Sequence, residues 1–497
     1  MKFSSNNFAI FDVETSLLKD GEIPKTKFWG YYDGEKYRRF ETSGQLAGFL
    51  KKQSQKIILH HFNFDVIQLL VDRQQVFPRR SHECKLIRCS FFHHTTQNTA
   101  AAFPPMALEK FFKAFGYKKT SLKHLAKRNY DDCVKGLECF LKLDAIFKEL
   151  TGFSPLIKGT IAGTAFAGAE KVAGKMPKDL RFLEAYRGGR ADLFDLRRTK
   201  CSKLDICSSY PKSFVDAPQK GTLLRLRVTT ADFYCPFFDA NNEEKLIFPN
   251  GTFSTWMYQD VFERYVEPHT EKTKVKILSR HKIDLSWIFS LAGYVQRIYK
   301  RKLEAKQSGN LGLELACKIL LNSMYGRIGL RGESEKVSIL NHEPDGDDIT
   351  YEYIGGKRWI VFEKILREPR SNFAFAAYIT DNARGRLFQA FKQNGAIYGD
   401  TDSVFTPSKK SEFVGKIGVH LGEFNYEKRD WFLGLNVKDY KFGKEIVRKG
   451  GVDSITWTLK KFAKGKSAES VHRTRQTSLL KRRVFPDGTT APLIVGK

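Results

Sequence analysis

An apolar run that ends in alternating polar and apolar positions predicts a strand over residues 8–15, near whose end lie Asp12 and Glu14. Side chains on a strand point to opposite faces in turn, so these two carboxylates share a face. β-forming residues on both sides of a short polar segment predict a hairpin that carries Asp400 and Asp402. A hairpin with two carboxylates at its tip is able to present both of them to a pair of divalent ions.

Asp205 is the candidate for a third carboxylate beside that hairpin. It follows Leu204 at the predicted end of a strand, and the next residues run through a turn to Pro211. Proline has no N–H to donate to a β-ladder, so the strand is expected to stop before it.

A polar face is predicted on a helix that runs through residues 318–325. Its apolar positions follow helical spacing, and Gly326 is placed as the C-cap. Lys318, Asn322 and Tyr325 occur at i, i+4 and i+7, which places them on one face. A cation, an amide and an aromatic ring on one face suit a triphosphate, a sugar and a base.

These three segments together resemble the polymerase motifs of the family B DNA polymerases. Motif A of the family is D-x-x-S-L-Y-P, motif B is K-x-x-x-N-S-x-Y-G and motif C is Y-x-D-T-D-S. They match residues 205–211, 318–326 and 398–403 in the family's order, with Ser209 in place of leucine. An ordinary acidic turn or a surface lysine would explain each segment alone, but not the three together.

The resemblance implies a two-metal centre for nucleotidyl transfer. Asp205, Asp400 and Asp402 would hold two Mg²⁺ ions, for which Mn²⁺ is a substitute, and Lys318 would protonate the leaving group. The residues implied to bind the nucleotide are Ser208, Tyr210, Lys318, Asn322, Tyr325 and Arg301. Arg301 belongs to a basic helical face whose alternative explanation is simple solvation.

A second group of acids resembles the metal ligands of the DEDD-type 3′–5′ exonuclease that family B polymerases carry. The group comprises Asp12, Glu14, Asp65 and Asp144, the last within an apolar pattern of helical spacing. These acids would bind two Mg²⁺ ions and direct a water molecule at the terminal phosphodiester.

Two positions of this second group depart from the family. His61 stands four residues before Asp65, where the family has asparagine, and Phe140 stands four before Asp144, where tyrosine is usual. The tyrosine hydroxyl helps to orient the attacking water, so metal binding with a reduced rate is expected. Lys123 resembles a lysine that contacts the scissile phosphate, and a solvated helix lysine is the alternative.

Two short motifs are similar to segments that handle DNA in this family. Y-x-G-G occurs at 186–189, where two glycines permit close backbone approach to a strand, and K-x-Y occurs at 438–440. The residues implied to contact DNA are Tyr186, Gly188, Gly189, Ser323, Gly326, Lys438, Tyr440 and His61.

The fold class implied is α/β plus α+β multidomain: an RNase H-like exonuclease domain followed by a right-hand polymerase of palm, fingers and thumb. The expected division is 1–155 exonuclease; 156–222 linker and first part of the palm; 223–290 first insertion; 291–328 fingers; 329–374 second insertion; 375–445 second part of the palm; 446–497 basic thumb or tail. The short chain and two insertions resemble the protein-primed branch of phages, adenovirus-like viruses and linear plasmids. In that branch the first insertion docks a terminal protein and the second assists strand displacement.

Composition fits a DNA-binding enzyme. The 497 residues carry a formal net charge of +29, which predicts a polyanionic partner and salt-sensitive binding. With 41% hydrophobic residues and no run of eighteen apolar positions, a membrane location is not expected. The eight cysteines form no C-x-x-C pair, which favours a reduced compartment, and Cys84, Cys89, His93 and His94 have atypical spacing for zinc.

The function indicated is DNA-directed DNA polymerisation, protein-primed, with 3′–5′ proofreading. Expected partners are template and primer DNA, dNTPs and a terminal protein, for a monomer in the cytoplasm of the host cell. A nucleic-acid-primed polymerase with weak or no exonuclease remains the alternative, because the initiating hydroxyl belongs to another molecule. A nuclease whose second half only grips DNA, or a non-catalytic DNA-binding protein, would not need the complete set of motif residues.

Overall fold

The computed structural model describes residues 7–16, 25–61, 63–82, 85–103, 108–118, 124–242, 246–346, 349–447, 482–484 and 490–492. Among the helices within these ranges, none is long and apolar enough to cross a bilayer. The seven cysteines that fall within them are free thiols, six of them buried.

The first domain is an α/β layer structure built on a seven-stranded sheet. Its elements are β1 (Phe8–Thr15), β2 (Thr26–Tyr32), β3 (Tyr37–Phe40), α1 (Ser43–Leu50), β4 (Ile57–His60), α2 (Asn63–Val71), β5 (Val76–His82), β6 (Lys85–Phe91), β7 (His94–Asn98), α3 (Thr99–Ala102), α4 (Leu108–Ala114) and α5 (Leu125–Thr151). The strand order is β3-β2-β1-β4-β7-β6-β5. Strands β1, β4 and β7 are parallel at the centre, and the flanking strands are antiparallel.

Helix α5 packs across this sheet against β1 and β2. Its Gly136 allows close approach, since a Cβ there would lie 3.3 Å from Ile10 Cδ1. The helix ends at Gly152, which adopts the left-handed conformation with φ 86°. This packing fixes the register of α5 against the strand that bears Asp12 and Glu14.

The chain then passes into the first part of the palm. Its elements are α6 (Pro155–Lys158), α7 (Ile161–Ala173), β8 (Ala191–Leu193), β9 (Thr199–Ile206) and α8 (Ser209–Val215). Strand β9 stops before Pro211 as predicted, and the turn leads into α8 through Ser208, which has φ 54°. Asp205 therefore lies one residue before the end of the strand.

A small antiparallel sheet follows, within and just before the predicted first insertion. It consists of β10 (Lys220–Thr230), β11 (Gly251–Tyr258) and β12 (Thr273–Asp284), with β10 in the middle, and α9 (Gln259–Val261) lies between the last two strands. Helix α10 (Ser286–Phe289) leads out of it.

Two helices form the predicted fingers: α11 (Ala292–Gln307) and α12 (Leu311–Ser323). Asn310 caps α12, because its side chain accepts a hydrogen bond from the N–H of Leu313. The predicted helix through residue 325 is wrong at its end. Tyr325 and Gly326 lie in turns beyond Ser323, and Gly326 does not adopt the left-handed conformation of a C-cap.

The predicted second insertion contains a three-stranded antiparallel sheet that packs on the first domain. Its strands are β13 (Glu333–Leu340), β14 (Ile349–Gly355) and β15 (Arg358–Leu366), in the order β13-β15-β14. Buried Ile354, Ile360 and Phe362 share one hydrophobic core with residues of the first domain that include Val66, Leu69 and Leu70. Arg358 Nη2 donates to the Leu70 carbonyl at 2.7 Å, so a polar contact locks the same interface.

The second part of the palm completes a seven-stranded antiparallel sheet. It comprises α13 (Phe373–Asn394), β16 (Tyr398–Asp400), β17 (Ser403–Thr406), β18 (Phe424–Asn436), β19 (Asp439–Phe442) and β20 (Glu445–Val447). The strand order is β20-β19-β18-β9-β17-β16-β8, which interleaves both parts of the palm. Within the described part of the predicted thumb or tail, β21 (Arg482–Val484) pairs with β22 (Thr490–Pro492).

The shared core of the second insertion and the first domain predicts a stability effect. Truncating fully buried Ile360 to alanine removes packing on both sides of the interface, so we expect the free energy of unfolding to fall by about 2–5 kcal/mol. Urea unfolding followed by tryptophan fluorescence tests this, since buried Trp29 belongs to the same core. Leu366→Ala, on the same strand but 86% exposed, is the control and should change stability little. Equal effects of the two substitutions would contradict the prediction.

Candidate active sites

The three palm carboxylates converge because two neighbouring strands bring them together. Strands β9 and β17 pair with Asp205 opposite Ser403, and Asp400 and Asp402 belong to the β16–β17 hairpin. The Ile206 N–H donates to the Asp402 carbonyl at 2.7 Å, so the tip of the hairpin is fixed against the end of β9. Thr401 has φ 62°, which permits the two-residue turn that presents both acids.

Burial and mutual repulsion perturb these acids. Burial, followed by the negative charge of Asp400, raises the pKa of Asp402 to about 6. Burial and a hydrogen bond with Glu427 raise the pKa of the Asp205 carboxyl well above its usual range. Lys203 Nζ lies 2.8 Å from Glu427 and partly offsets the negative charge. A site that favours protons on carboxylates in this way would gain more from a divalent cation.

Asp400 is held by its neighbour Thr401 and by Lys438 of the predicted K-x-Y segment. The Thr401 hydroxyl donates to its carboxylate at 3.0 Å, and Lys438 Nζ lies 3.5 Å from Oδ1. The Lys438 N–H also donates to the Tyr398 hydroxyl at 3.1 Å. Tyr440, in contrast, is buried with its ring 5.0 Å from that of Tyr398, so its direct contact with DNA stays a prediction.

Two aromatic rings and a glycine form the wall beside the acids. Tyr210 and Tyr325 stack with ring centroids 4.0 Å apart. A Cβ on Gly189 would lie 2.6 Å from the Tyr210 hydroxyl and 3.0 Å from Thr401 Cγ2. Glycine is therefore required where the Y-x-G-G segment passes the centre, while a Cβ on Gly188 would meet nothing within 4 Å.

A buried ion pair on α13 holds the backbone of the Y-x-G-G segment in place. Arg384 Nη1 donates to the carbonyls of Arg187 and Gly188, both at 2.7 Å, and Nη2 donates to Asp381 at 2.8 Å. The second Asp381 oxygen accepts the Tyr258 N–H at 2.8 Å. Tyr186 packs on Gly329 and stacks with Phe373 at 6.1 Å; its DNA contact stays a prediction.

Of the basic residues of the fingers, Lys318 is the one whose charge acts on a palm acid in the described structure. Lys318 is exposed at the fingers face, and its positive charge lowers the pKa of Asp402. Burial, with the nearby charges of Lys318 and Lys306, lowers the pKa of Lys302. Arg301 instead pairs with Glu149 of α5 at 2.6 Å, so the structure does not support its assignment to the nucleotide. Asn322 and Gly326 are exposed and Ser323 half-buried at the end of α12, near Tyr325.

The acid cluster of the first domain differs from the predicted one by one residue. Burial raises the pKa of Asp12 well above its usual range, and Asp65, Asp132 and Glu14 raise it further in that order. Asp65 begins α2, Asp132 lies on α5, and Asp12 and Glu14 share a face of β1. The fourth acid of this centre is therefore Asp132.

The assignment of Asp144 to this cluster is wrong. Asp144 lies twelve residues further along α5, about 18 Å away at the rise of an α-helix. Its Oδ1 accepts hydrogen bonds from the Ser154 hydroxyl at 2.6 Å and the Leu156 N–H at 3.1 Å. Asp144 thus holds the start of α6, which is a structural role.

The replacement of Asp144 by Asp132 as the fourth acid also changes the interpretation of the neighbouring positions. Phe140 is a core residue, stacked on Phe111 at 4.6 Å and lying 5.9 Å from the ring of His61. The position four residues before Asp132 is Arg128, whose Nε lies 3.4 Å from the Asp132 carboxylate. His61 Nδ1 is 3.2 Å from the Thr99 hydroxyl, and Lys123 lies outside the described residues.

The carboxylates of both centres are suitable ligands for divalent cations, since Mg²⁺ and Mn²⁺ prefer hard oxygen ligands. Within the part of the chain that the structure describes, no three such side chains already enclose a metal position. The zinc alternative is not supported: both ring nitrogens of His94 are engaged by backbone groups, and Cys84 lies outside the described residues.

Sequence reasoning missed four residues at these centres: Asp132, Lys302, Glu427 and Arg384. The sequence did contain a signal for Asp132. Arg128 and Asp132 are four residues apart on the same helix, as are Phe140 and Asp144, so both pairs fit the spacing of the family motif. Glu427 gave none, since its approach to Asp205 depends on the pairing of β18 with β9, which are more than 200 residues apart in sequence.

Comparisons with known proteins agree with this geometry. A family model for DNA polymerase type B, organellar and viral, matches residues 170–370. The DNA-directed DNA polymerase of Enterobacteria phage PRD1 is 22% identical over 462 residues, which cover 84% of this chain and 80% of that protein. The structure of Phi29 DNA polymerase with primer-template DNA matches with a TM-score of 0.66 and 15% identity, covering 98% of this chain and 99% of that one. The ternary complex of Phi29 DNA polymerase with primer-template DNA and incoming nucleotide matches with a TM-score of 0.65 and 15% identity, covering 89% of each chain.

In sequence and in fold, the chain is thus similar to the family B DNA polymerases of viruses and organelles. The resemblance indicated by the three motifs is confirmed: the chain is related to the viral and organellar family B DNA polymerases and shares their fold.

The acid cluster of the first domain predicts which carboxylate binds metal. In a protein whose Asp400 and Asp402 are replaced by asparagine, Asp132→Asn should weaken Mn²⁺ binding by about tenfold or more, because a ligand is lost. Mn²⁺ binding measured by electron paramagnetic resonance tests this. Asp144→Asn is the matched control on the same helix and should leave binding unchanged. If Asp144→Asn weakened Mn²⁺ binding and Asp132→Asn did not, Asp144 would be the metal ligand.

Proposed function

We propose that this chain is a DNA-directed DNA polymerase that adds nucleotides to a primer hydroxyl on a template. The observation that carries the proposal is the pairing of β9 with the β16–β17 hairpin, which brings Asp205 beside Asp400 and Asp402. The relationship to family B polymerases supports the same function.

The palm acids would hold the catalytic ions. Two Mg²⁺ ions on Asp205, Asp400 and Asp402, with Mn²⁺ as a substitute, would activate the primer hydroxyl and stabilise the leaving pyrophosphate. Lys318 faces these acids from the fingers, with Lys302 close to it, and both are proposed to bind the triphosphate. Because burial and the neighbouring lysines lower the pKa of Lys302, its ammonium is also a better proton donor than an ordinary lysine.

The stacked rings would shape the nucleotide pocket. Tyr210 is held between Tyr325 and Gly189, and burial raises its pKa, so its hydroxyl stays protonated. A ring fixed on both sides leaves little room for an extra oxygen, which would favour deoxyribonucleotides over ribonucleotides. Ser208, in the turn after β9, and Asn322, at the end of the fingers helix, complete the proposed nucleotide contacts.

The first domain is proposed to remove mismatched 3′ ends. Asp12, Glu14, Asp65 and Asp132 would hold the two ions of the exonuclease and direct water at the terminal phosphodiester. Arg128 occupies the position of the family's tyrosine and supplies a cation in place of a hydroxyl. Its charge lowers the pKa of Asp12, in opposition to the surrounding acids.

Protein priming is the proposed mode of initiation. Supporting it are the two sheets β10–β12 and β13–β15, which form within or beside the segments 223–290 and 329–374 that the sequence analysis assigns to insertions of the protein-primed branch. The first would dock a terminal protein, and the second would help to separate the downstream strand. The enzyme would act as a monomer in the host cell's cytoplasm. Priming from a nucleic acid is the alternative, and neither sheet decides between them.

Removal of a palm ligand predicts loss of synthesis without loss of DNA binding. Asp402→Ala should lower nucleotide incorporation by about a thousandfold or more, because metal stabilisation of the transition state amounts to several kcal/mol. Primer extension measures the first effect, and fluorescence anisotropy of labelled primer-template measures the second. Glu412→Ala, an exposed acid of the same region, should leave both unchanged. Substantial incorporation by Asp402→Ala would refute the two-metal assignment.

Strand displacement is tested by extending a primer annealed to a single-stranded circle with Mg²⁺ and four dNTPs. We expect products longer than the circle, because the β13–β15 sheet is proposed to separate the downstream strand. Products no longer than the circle would support polymerase activity but would contradict a role of the second insertion in strand displacement. A protein with Asp402→Ala provides the blank.

A further inference from the structure

Asn129 reaches from helix α5 into the acid cluster of the first domain. Its side chain is fully buried, and Nδ2 donates to Asp12 Oδ2 at 2.7 Å and to the Asp12 carbonyl at 3.1 Å. Its Oδ1 accepts a hydrogen bond from the Tyr37 hydroxyl at 2.7 Å. Both N–H groups and the oxygen of the amide are therefore engaged, and its orientation is set because only the nitrogen can donate to a carboxylate.

The neighbouring strand makes room for this amide. Gly30 on β2 is paired directly with Asp12 on β1. A Cβ at Gly30 would lie 1.8 Å from Asn129 Oδ1 and 3.0 Å from Tyr37 Cε2. Tyr37 comes from β3, which pairs with β2, so three strands and one helix meet at a slot that only glycine leaves open.

We infer that Tyr37 and Asn129 form a relay that orients the Asp12 carboxylate for metal binding. The inference rests on the proposed exonuclease. A carboxylate facing Asp65, Asp132 and Glu14 is repelled by each of them and would turn away if left unrestrained. The Asn129 amide fixes one oxygen and the backbone of Asp12 together, which leaves the other oxygen to the ion.

The chemistry of the amide suits this role better than a charged donor would. A lysine or arginine at the same place would neutralise Asp12 and compete with a divalent cation. A neutral N–H restrains the carboxylate without cancelling its charge. Hydrogen-bond partners of metal ligands commonly set ligand orientation and affinity in this way. Asn129 and Tyr37 are thus positioning residues and touch neither substrate nor ion.

The test compares Mn²⁺ binding by full-length protein in which Asp400 and Asp402 are replaced by asparagine, so that the palm ligands are removed. We expect Asn129→Leu to weaken Mn²⁺ binding by about tenfold. Tyr37→Phe should cause a smaller loss in the same direction, because the amide loses its orientation but not its contact with Asp12. Tyr130→Phe is the matched control, since Tyr130 is 45% exposed and its ring lies 5.1 Å from that of Tyr37.

A second readout separates positioning from general loss of structure. With an unmodified palm, Tyr37→Phe should raise the Mg²⁺ concentration that gives half-maximal exonuclease rate, recover the full rate at saturating Mg²⁺, and leave polymerisation unchanged. If Asn129→Leu does not fold, Tyr37→Phe alone decides.

The outcomes distinguish the relay from the exonuclease on which it rests. The relay is overturned, and the exonuclease assignment is kept, if Asn129→Leu and Tyr37→Phe leave the Mn²⁺ affinity and the Mg²⁺ dependence unchanged while Asp12→Ala weakens Mn²⁺ binding. If Asp12→Ala also leaves Mn²⁺ binding unchanged, the exonuclease assignment fails and the relay fails with it.

Discussion

Repulsion between carboxylates that are crowded together away from water is the constraint on which both centres depend. Burial, followed by this repulsion, raises the pKa of Asp12 in the first domain and that of Asp402 in the palm. Side chains under this repulsion would separate unless the backbone held them. The palm resists it by strand pairing at the hairpin, and the first domain by packing a 27-residue helix across β1. Much of the surrounding architecture serves to make these two clusters rigid.

Short-range sequence patterns were sufficient where neighbouring residues alone fix the geometry. Strand β1 has the bounds predicted from alternation, and the hairpin around Asp400 and Asp402 forms as expected, because turn chemistry and strand periodicity act within a few residues. The end of β9 at Asp205 follows from the same local rules. These elements include every carboxylate that the sequence assigns to the palm site.

Long-range packing decided what the sequence left ambiguous. Asp132 and Asp144 occupy one helix, and only the register of α5 against β1, set where Gly136 meets Ile10, determines which of them reaches Asp12. Arg301 and Lys302 are adjacent, so a rotation of about 100° per residue sends one to α5 and the other toward the palm. Periodicity gives the spacing of a helical face but not the direction in which it points.

The hydrophobic core shared by the β13–β15 sheet and the first domain limits how freely parts of this chain can be exchanged. Ile354, Ile360 and Phe362 are distant in sequence from Val66 and Leu70, yet they complete one core with them. A recombinant that received a foreign N-terminal domain would also need the matching second insertion, or it would expose half of that core. In evolution the two segments are therefore expected to be inherited as one unit, although residues 156–328 lie between them.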